Sequence, residues 1–308
     1  MNMSPAQVRV VDPILTNVAQ GYRQVEMVAA TLFPSVPVQK SGGQILEFGK
    51  DSFKLYNARR APGAGTKRVQ FGYLGRPFAL VQDSLEGILP REYLRDSGQL
   101  PGVNLDSRTV NSTMRSLLLT LENDCAAIAT NASNYDSDHK VALSGNDKWS
   151  DGTAEPNDNI EAGKEAIRQS VGIYPNTLLL SARAFKVAKA NPNVVERFKY
   201  TSRDSITAEM LANLWDLDRV VVGKAVAFDD AGTTIDIWGN NAILAYVPPA
   251  PSGMEDPSYG YTYTMEGHPL VEKPYYDNNS KSWIYPVTYE RAPVLTGILS
   301  GYLIQNPE

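Results

Sequence analysis

The stretch from Asp106 to roughly Ala132 constrains this chain most, because it reads as one long amphipathic helix. Val110, Met114, Leu117, Leu118, Leu121, Cys125 and Ile128 recur at helical spacing and form a single apolar stripe. Asp106 suits the cap of the first turn, with Leu105 and Val110 closing around it as a hydrophobic staple. Asn131 and the Ser133-Asn134 pair supply a stop. At about 1.5 Å per residue the helix is roughly 40 Å long, more than a compact domain requires. It is predicted to be a spine, with Val110, Met114, Leu117, Leu121, Cys125 and Ile128 as its core face.

What precedes the spine is extended and loop-rich. Residues 1–11 are polar and predict an arm, and Asp12-Pro13 then opens a helix with Asp as cap and Pro in the first turn. Ile14, Leu15, Val18, Tyr22, Val25 and Ala29 carry its apolar face across Gly21. Two prolines in Leu32-Phe33-Pro34-Ser35-Val36-Pro37-Val38 force an extended segment. Gln44–Phe53 and Val69–Val81 read as two strands around Asn57-Ala-Arg-Arg-Ala-Pro-Gly-Ala-Gly-Thr-Lys-Arg68. That Gly- and Pro-rich tip holds Arg59, Arg60, Lys67 and Arg68. A two-stranded hairpin is marginal alone in water, so this one is expected to lean on another subunit. The bland alternative is a surface loop.

After the spine and a polar connector with one short strand near Val141–Leu143, helices and strands alternate. Ile160–Val171 reads as a helix with Ile160, Gly163 and Ile167 inward and Glu161/Lys164 and Glu165/Arg168 as exposed pairs. Thr177–Leu180 is a buried strand, and Ser181 caps a helix to Ala190 that resumes past Asn191-Pro192 as Val194–Tyr200. A helix at Thr207–Trp215 and strands at Arg219–Val222, Ile235–Trp238 and Ala242–Val247 complete an α/β unit. Beyond a proline-rich crossing, Tyr259, Tyr261, Tyr263 and Met265 alternate, and Leu270–Tyr276 and Trp283–Tyr289 flank a turn at Asp277-Asn-Asn-Ser280. Val294–Ile304 reads as a last strand.

Residues that would carry chemistry are scarce. The 308 residues include two histidines and one cysteine, which suggests neither a Cys/His metal cluster nor a Cys–His nucleophile. No G-x-S-x-G elbow is present. Gly63-Ala-Gly65-Thr66-Lys67 has the wrong order for a phosphate loop, and no helix follows it. Asp229-Asp230 beside Ala231-Gly232 is most simply a turn, and the three N-x-S/T sites at Asn111, Asn131 and Asn278 carry no weight. A two-carboxylate glycosidase needs no local motif and stays open. A lone Cys125 on an apolar stripe is core rather than a reactive thiol, and it fits a reducing compartment. No signal-peptide core is seen in Met1–Arg9 and no run approaches the roughly 18–20 apolar residues of a membrane span, so neither export nor membrane insertion is expected. A net charge of −5 argues against general nucleic-acid binding, and the terminal tyrosines fit sheet packing or subunit contact better than base stacking.

The order of these pieces resembles the major capsid proteins of tailed double-stranded DNA bacteriophages, the Hong Kong 97-type fold. Leu32-Phe33-Pro34-Ser35-Val36-Pro37-Val38 is similar to that family's lead into its loop, and Tyr174-Pro-Asn-Thr-Leu-Leu-Leu-Ser181 is the most family-like run. The resemblance implies an α+β fold with an N-terminal arm (1–41), an extended β-hairpin loop (42–84) and a peripheral domain (85–158) carrying the spine helix (106–132). An α/β axial domain (159–247) and a return to the peripheral domain through C-terminal strands (248–308) complete it. It further implies a non-enzymatic shell subunit without cofactor, forming hexamers and pentamers that close into an icosahedral head. Packaged double-stranded DNA would be enclosed without sequence-specific contacts, in a virion assembled in the host bacterial cytoplasm. Portal and decoration proteins are expected partners. With no long helical scaffold region before the arm, a separate scaffolding protein is expected too. The covalent cross-link of one family member has no matching lysine and asparagine here and is not carried over. The rival readings are an encapsulin-like nanocompartment shell and, from another class, a hydrolase or carbohydrate-binding domain.

Overall fold

The computed structural model describes residues 11–22, 26–47, 59, 66, 74–97, 104–199, 205–228, 231–249 and 258–308. In chain order the elements are α1 (Pro13–Gly21), α2 (Ala29–Leu32), β1 (Ser35–Val38), β2 (Gly42–Glu47), β3 (Leu74–Ala79), β4 (Val81–Pro90), α3 (Arg91–Ser97) and α4 (Leu105–Ala129). There follow β5 (Lys140–Ala142), α5 (Pro156–Val171), β6 (Thr177–Ser181), α6 (Ala182–Ala190), α7 (Pro192–Arg197), α8 (Ala208–Leu214) and β7 (Arg219–Gly223). The rest is strand: β8 (Val226–Phe228), β9 (Thr234–Asp236), β10 (Asn241–Ala245), β11 (Gly260–Met265), β12 (Leu270–Val271), β13 (Tyr275–Asp277), β14 (Ser282–Leu295) and β15 (Gly301–Gln305).

The spine is α4, 25 residues long, and its cap differs from the sequence expectation. Asn104 Oδ1 accepts the Ser107 amide at 3.1 Å, so Asn104 caps the helix and Leu105 is its first residue. Asp106 lies inside the first turn, where its Oδ1 accepts the Tyr285 hydroxyl at 2.6 Å. At the other end Thr130 closes the helix, and Asn131 caps the next short turn instead.

Each half of α4 carries a different sheet. Val110, Met114 and Leu117 pack with Leu89, Tyr285 and Val287, from a six-stranded sheet in which the 14-residue β14 pairs β4 on one edge and β11, β12 and β13 on the other. Cys125, Ala126 and Ala129 pack with Leu179, Ile243 and Leu303, from a five-stranded sheet of order β5-β15-β10-β6-β7. The opposite face of that sheet buries Leu178, Leu180, Leu244 and Ile304 under the helices α5 to α8. An unbroken Leu178-Leu179-Leu180 is what a strand covered on both faces requires, since successive side chains point to opposite layers.

The sheets do not follow the boundaries drawn from sequence. Val294–Ile304 is not one strand: Val294 and Leu295 end β14, and the chain then crosses to the five-stranded sheet as β15, antiparallel to β10 and parallel to β5. Thus β5, from the segment 85–158, and β15, from the segment 248–308, both join the five-stranded sheet of β10, β6 and β7. Similarly, the second loop strand stops at Ala79, and Val81 already starts β4, so the loop's root lies at Leu80 rather than residue 84. The helix capped by Asp12 ends at Gly21, its Ile14 is 74% exposed, and Ala29 belongs to a separate short turn. Pro156 starts α5 earlier than the predicted Ile160. Lys164 is buried, not exposed: its Nζ donates to Glu161 Oε1 and to the Trp215 carbonyl, both at 2.9 Å.

Glycine is required where β7 passes Trp238. A Cβ on Gly223 would lie 2.4 Å from the buried Trp238 ring, which an indole hydrogen bond holds in place. Gly223→Ala should therefore cost about 1–3 kcal/mol, read as a lowered melting temperature of the free subunit. An unchanged melting temperature would mean that the ring can move aside.

Candidate functional site

Two buried charged side chains, Glu122 on α4 and Arg291 on β14, tie the spine to α2, to the turn at Trp238 and to the six-stranded sheet. Glu122 faces inward beside Leu118 and Cys125. Its carboxylate accepts the Val28 amide at 2.9 Å, the Ala29 amide at 2.8 Å and the Trp238 indole N–H at 2.7 Å. Val28 offers no side-chain cap to the four-residue α2, so Glu122 caps it from another element. Burial pushes the Glu122 carboxyl up, opposed by these three donors.

Arg291 continues the inward face of Tyr285, Val287 and Tyr289 along β14. Its Nη2 donates to Asp83 Oδ2 on β4 at 3.1 Å and to the Leu117 carbonyl of the spine at 2.6 Å. The guanidinium carbon lies 4.4 Å from the Tyr289 ring centroid. Nearby, the hydroxyls of Tyr135 and Tyr259 meet at 2.5 Å and fasten the end of the spine to the start of β11. Neither Glu122 nor Arg291 was singled out by the periodicity, although each is a charge at a position the apolar pattern turns inward, which is the available signal.

The predicted spine residues divide. Val110, Met114, Leu117 and Cys125 are buried, whereas Leu121 and Ile128 are half-buried at the margin of the packed face. Burial raises the Cys125 thiol far out of the reactive range. Of the basic tip, Arg59 is exposed, and Arg60, Lys67 and Arg68 lie outside the described residues, as does the Asp229-Asp230 turn. The root of that loop is a two-stranded ladder, β2 against β3, that joins neither large sheet. His139 is buried beside β5, while His268 Nδ1 accepts the Glu290 amide at 3.1 Å. Among the described residues no cluster of His, Cys, Asp and Glu could hold a metal, and no helix is long and apolar enough to cross a membrane.

Among the described residues large apolar side chains are exposed at several places, Ile14 on α1 among them. Val81 and Ile88 on β4 are each 61% exposed, with Tyr93 on α3 beyond them, and Phe228 is 72% exposed on the small β8–β9 ribbon. Surfaces of this kind suit protein contact rather than small-molecule chemistry.

Comparison with known proteins points the same way. The model of the family described as phage major capsid protein E matches residues 130–276. A major capsid protein of Burkholderia phage BcepMu is 36% identical over 305 residues, covering 98% of each chain. A phage-related protein from Bordetella bronchiseptica RB50, known as a crystal structure, is 48% identical with TM-score 0.85 and covers 98% of both chains. The capsid of cyanophage P-SCSP1u, 8% identical with TM-score 0.55 over 89% of this chain and 86% of its own, shares the fold alone.

Proposed function

The chain belongs to the family of phage major capsid proteins, and on that premise we propose that its copies form hexamers and pentamers closing into an icosahedral head around double-stranded DNA. The fold is the α+β Hong Kong 97-type capsid fold, and the chain is a structural capsid subunit. The match to a phage capsid protein over nearly the whole chain favours DNA over an enzyme cargo.

The observation that carries the assembly reading is the β2–β3 ladder. Its strands pair only with each other, and among the described residues it packs on the body at its root, where Phe78 stacks on Tyr263; a two-stranded ribbon beyond such a root gains stability only by packing on something else. A neighbouring subunit supplies that support, with the basic tip at Arg59, Arg60, Lys67 and Arg68 meeting carboxylates in a chain of net charge −5. Each exposed pair contributes only about 0–1 kcal/mol, so shell strength comes from strand and apolar contacts repeated by symmetry. A negatively charged wall also lets the genome slide as it is packed. A scaffolding protein, a portal and decoration proteins complete the partner set, and assembly takes place in the host bacterial cytoplasm. Residues 1–41 act as the arm, the six-stranded sheet as the peripheral domain and the five-stranded sheet, with β5 and β15, as the axial domain.

The test is assembly of DNA-free shells by wild type and by a variant with all four tip cations replaced by glutamine. The variant is expected to assemble at least tenfold less, or to form shells that melt lower. Wild-type shells should weaken as salt rises, because the Debye length is about 10 Å at 0.1 M. Normal variant shells that retain less DNA would instead assign the tip to the genome.

A further inference from the structure

Between the end of α1, the short α2 and the middle of the spine lies a cavity of about 540 Å³, within the roughly 300–1,000 Å³ of small-molecule sites. Its apolar wall comes from Tyr22, Met27, Phe33, Leu118, Leu121 and Tyr289. Several polar side chains around it are turned to the protein itself. Gln20 Nε2 donates to the Gly267 carbonyl at 2.8 Å and to the Pro269 carbonyl at 3.3 Å, and Thr262 Oγ1 donates to the Phe33 carbonyl at 3.2 Å. The Ser35 and Thr264 hydroxyls bond each other at 3.0 Å. His268 Nδ1 accepts the Glu290 amide, and burial pushes the imidazole down, so it is uncharged at neutral pH.

Among the described residues that line the cavity, Glu122 is the only acidic side chain, and none is lysine or arginine. Its three hydrogen bonds all come from uncharged N–H groups. A carboxylate offers about four acceptor positions, so room for one more donor remains. Burial raises the Glu122 carboxyl in spite of its three donors, which leaves the negative charge incompletely balanced where it stands. An entering ammonium would bring the further N–H donor and the missing positive charge together, the stronger kind of hydrogen bond. The rings of Tyr22, Phe33 and Tyr289 suit the approach of a cation and the burial of an apolar body alike. An anionic ligand would meet Glu122 as a like charge.

We propose that this cavity binds a small primary amine with an apolar body, its ammonium on Glu122 and its body against Phe33, Leu118 and Leu121. The walls come from α2, the spine, β11 and β14, so an occupant touches the arm and the body at once. Binding to the native state alone stabilises the subunit by mass action.

Tryptamine, an indole ring ending in a primary ammonium, is the probe. Added to the free full-length subunit at millimolar concentration, it should raise the melting temperature, and titration calorimetry should give one site per chain. Indole-3-propionate, with the same ring and a carboxylate, should bind at least tenfold more weakly. Ala30 is exposed at the rim of the cavity, so Ala30→Trp should melt like wild type and lose at least tenfold in tryptamine affinity. Glu122→Gln keeps an acceptor without the charge and should lose the preference for tryptamine over indole-3-propionate. Where Glu122→Gln does not fold, Ala30→Trp and the two probes still decide. Absence of saturable tryptamine binding, equal affinity for both probes, or wild-type affinity in Ala30→Trp would each overturn the proposal. An undiminished preference for tryptamine in folded Glu122→Gln would overturn it as well, by placing the ammonium elsewhere.

Discussion

Glu122→Ala should leave the subunit unable to hold a stable fold. Removing the carboxylate strands two buried donors, the Ala29 amide and the indole N–H of Trp238, and the half-buried Val28 amide. Each unmet buried donor costs about 1–3 kcal/mol, and the sum is a large part of the roughly 5–15 kcal/mol that stabilises a typical domain. Glutamine resembles the protonated carboxyl and keeps an acceptor, so Glu122→Gln should fall between alanine and wild type. The pH dependence has a definite sign. Burial raises the folded-state pKa, so the native state binds this proton more tightly than the unfolded chain does. The stabilisation from that tighter proton binding is complete below the unfolded glutamate pKa and is lost as pH rises through the raised folded value. Glu122→Gln should lack that slope. Denaturant unfolding of the free subunit, followed by tryptophan fluorescence, measures all three. An alanine variant within about 1 kcal/mol of wild type would mean that water or a neighbouring group satisfies these donors.

Glu122 also shows where sequence reading stops. A 3.6-residue period detects the apolar stripe, and the stripe located the spine, but periodicity assigns any charged residue to solvent. Glu122 and Lys164 both break that assumption because each finds partners from elements far away in sequence. The cap failed for a local reason. Asn104 and Asp106 are equally good caps two positions apart, and what separates them is Tyr285, whose hydroxyl claims Asp106. The loop's basic tip was legible only as composition, and the cavity that β3, α4 and β14 line together was not legible at all.

The C-terminal run illustrates the same limit for sheets. Val294 to Ile304 is apolar enough for one strand, yet the chain turns at Thr296-Gly297 and changes sheet. A Cβ on Gly297 would sit 2.6 Å from the Ser258 carbonyl oxygen, so this close crossing depends on glycine. The glycine was visible; the carbonyl it passes was not. That crossing joins the two sheets covalently as well as through the spine.

The spine's two halves make the last prediction a comparison between residues that looked alike in sequence. Met114 is 1% exposed and packs among Val110, Leu117, Tyr285 and Val287, an apolar surround for an introduced carboxylate. Met114→Asp should therefore yield insoluble subunits, because an unpaired buried charge costs several kcal/mol in addition to the lost apolar contacts. Leu121 occupies the same stripe but is half-buried and borders an open cavity between α1, α2 and β11. Leu121→Asp can turn its carboxylate toward water there, and it should give soluble subunits destabilised by about 1–3 kcal/mol. Met114→Leu, nearly equal in volume, should stay within about 1.5 kcal/mol of wild type and separates charge from shape. Soluble fractions and denaturant midpoints of the three variants decide the matter. A folded, soluble Met114→Asp would show that α4 does not rest on β4 and β14. Equal failure at both positions would show that Leu121 has no route to solvent and that the packed face is as wide as the stripe.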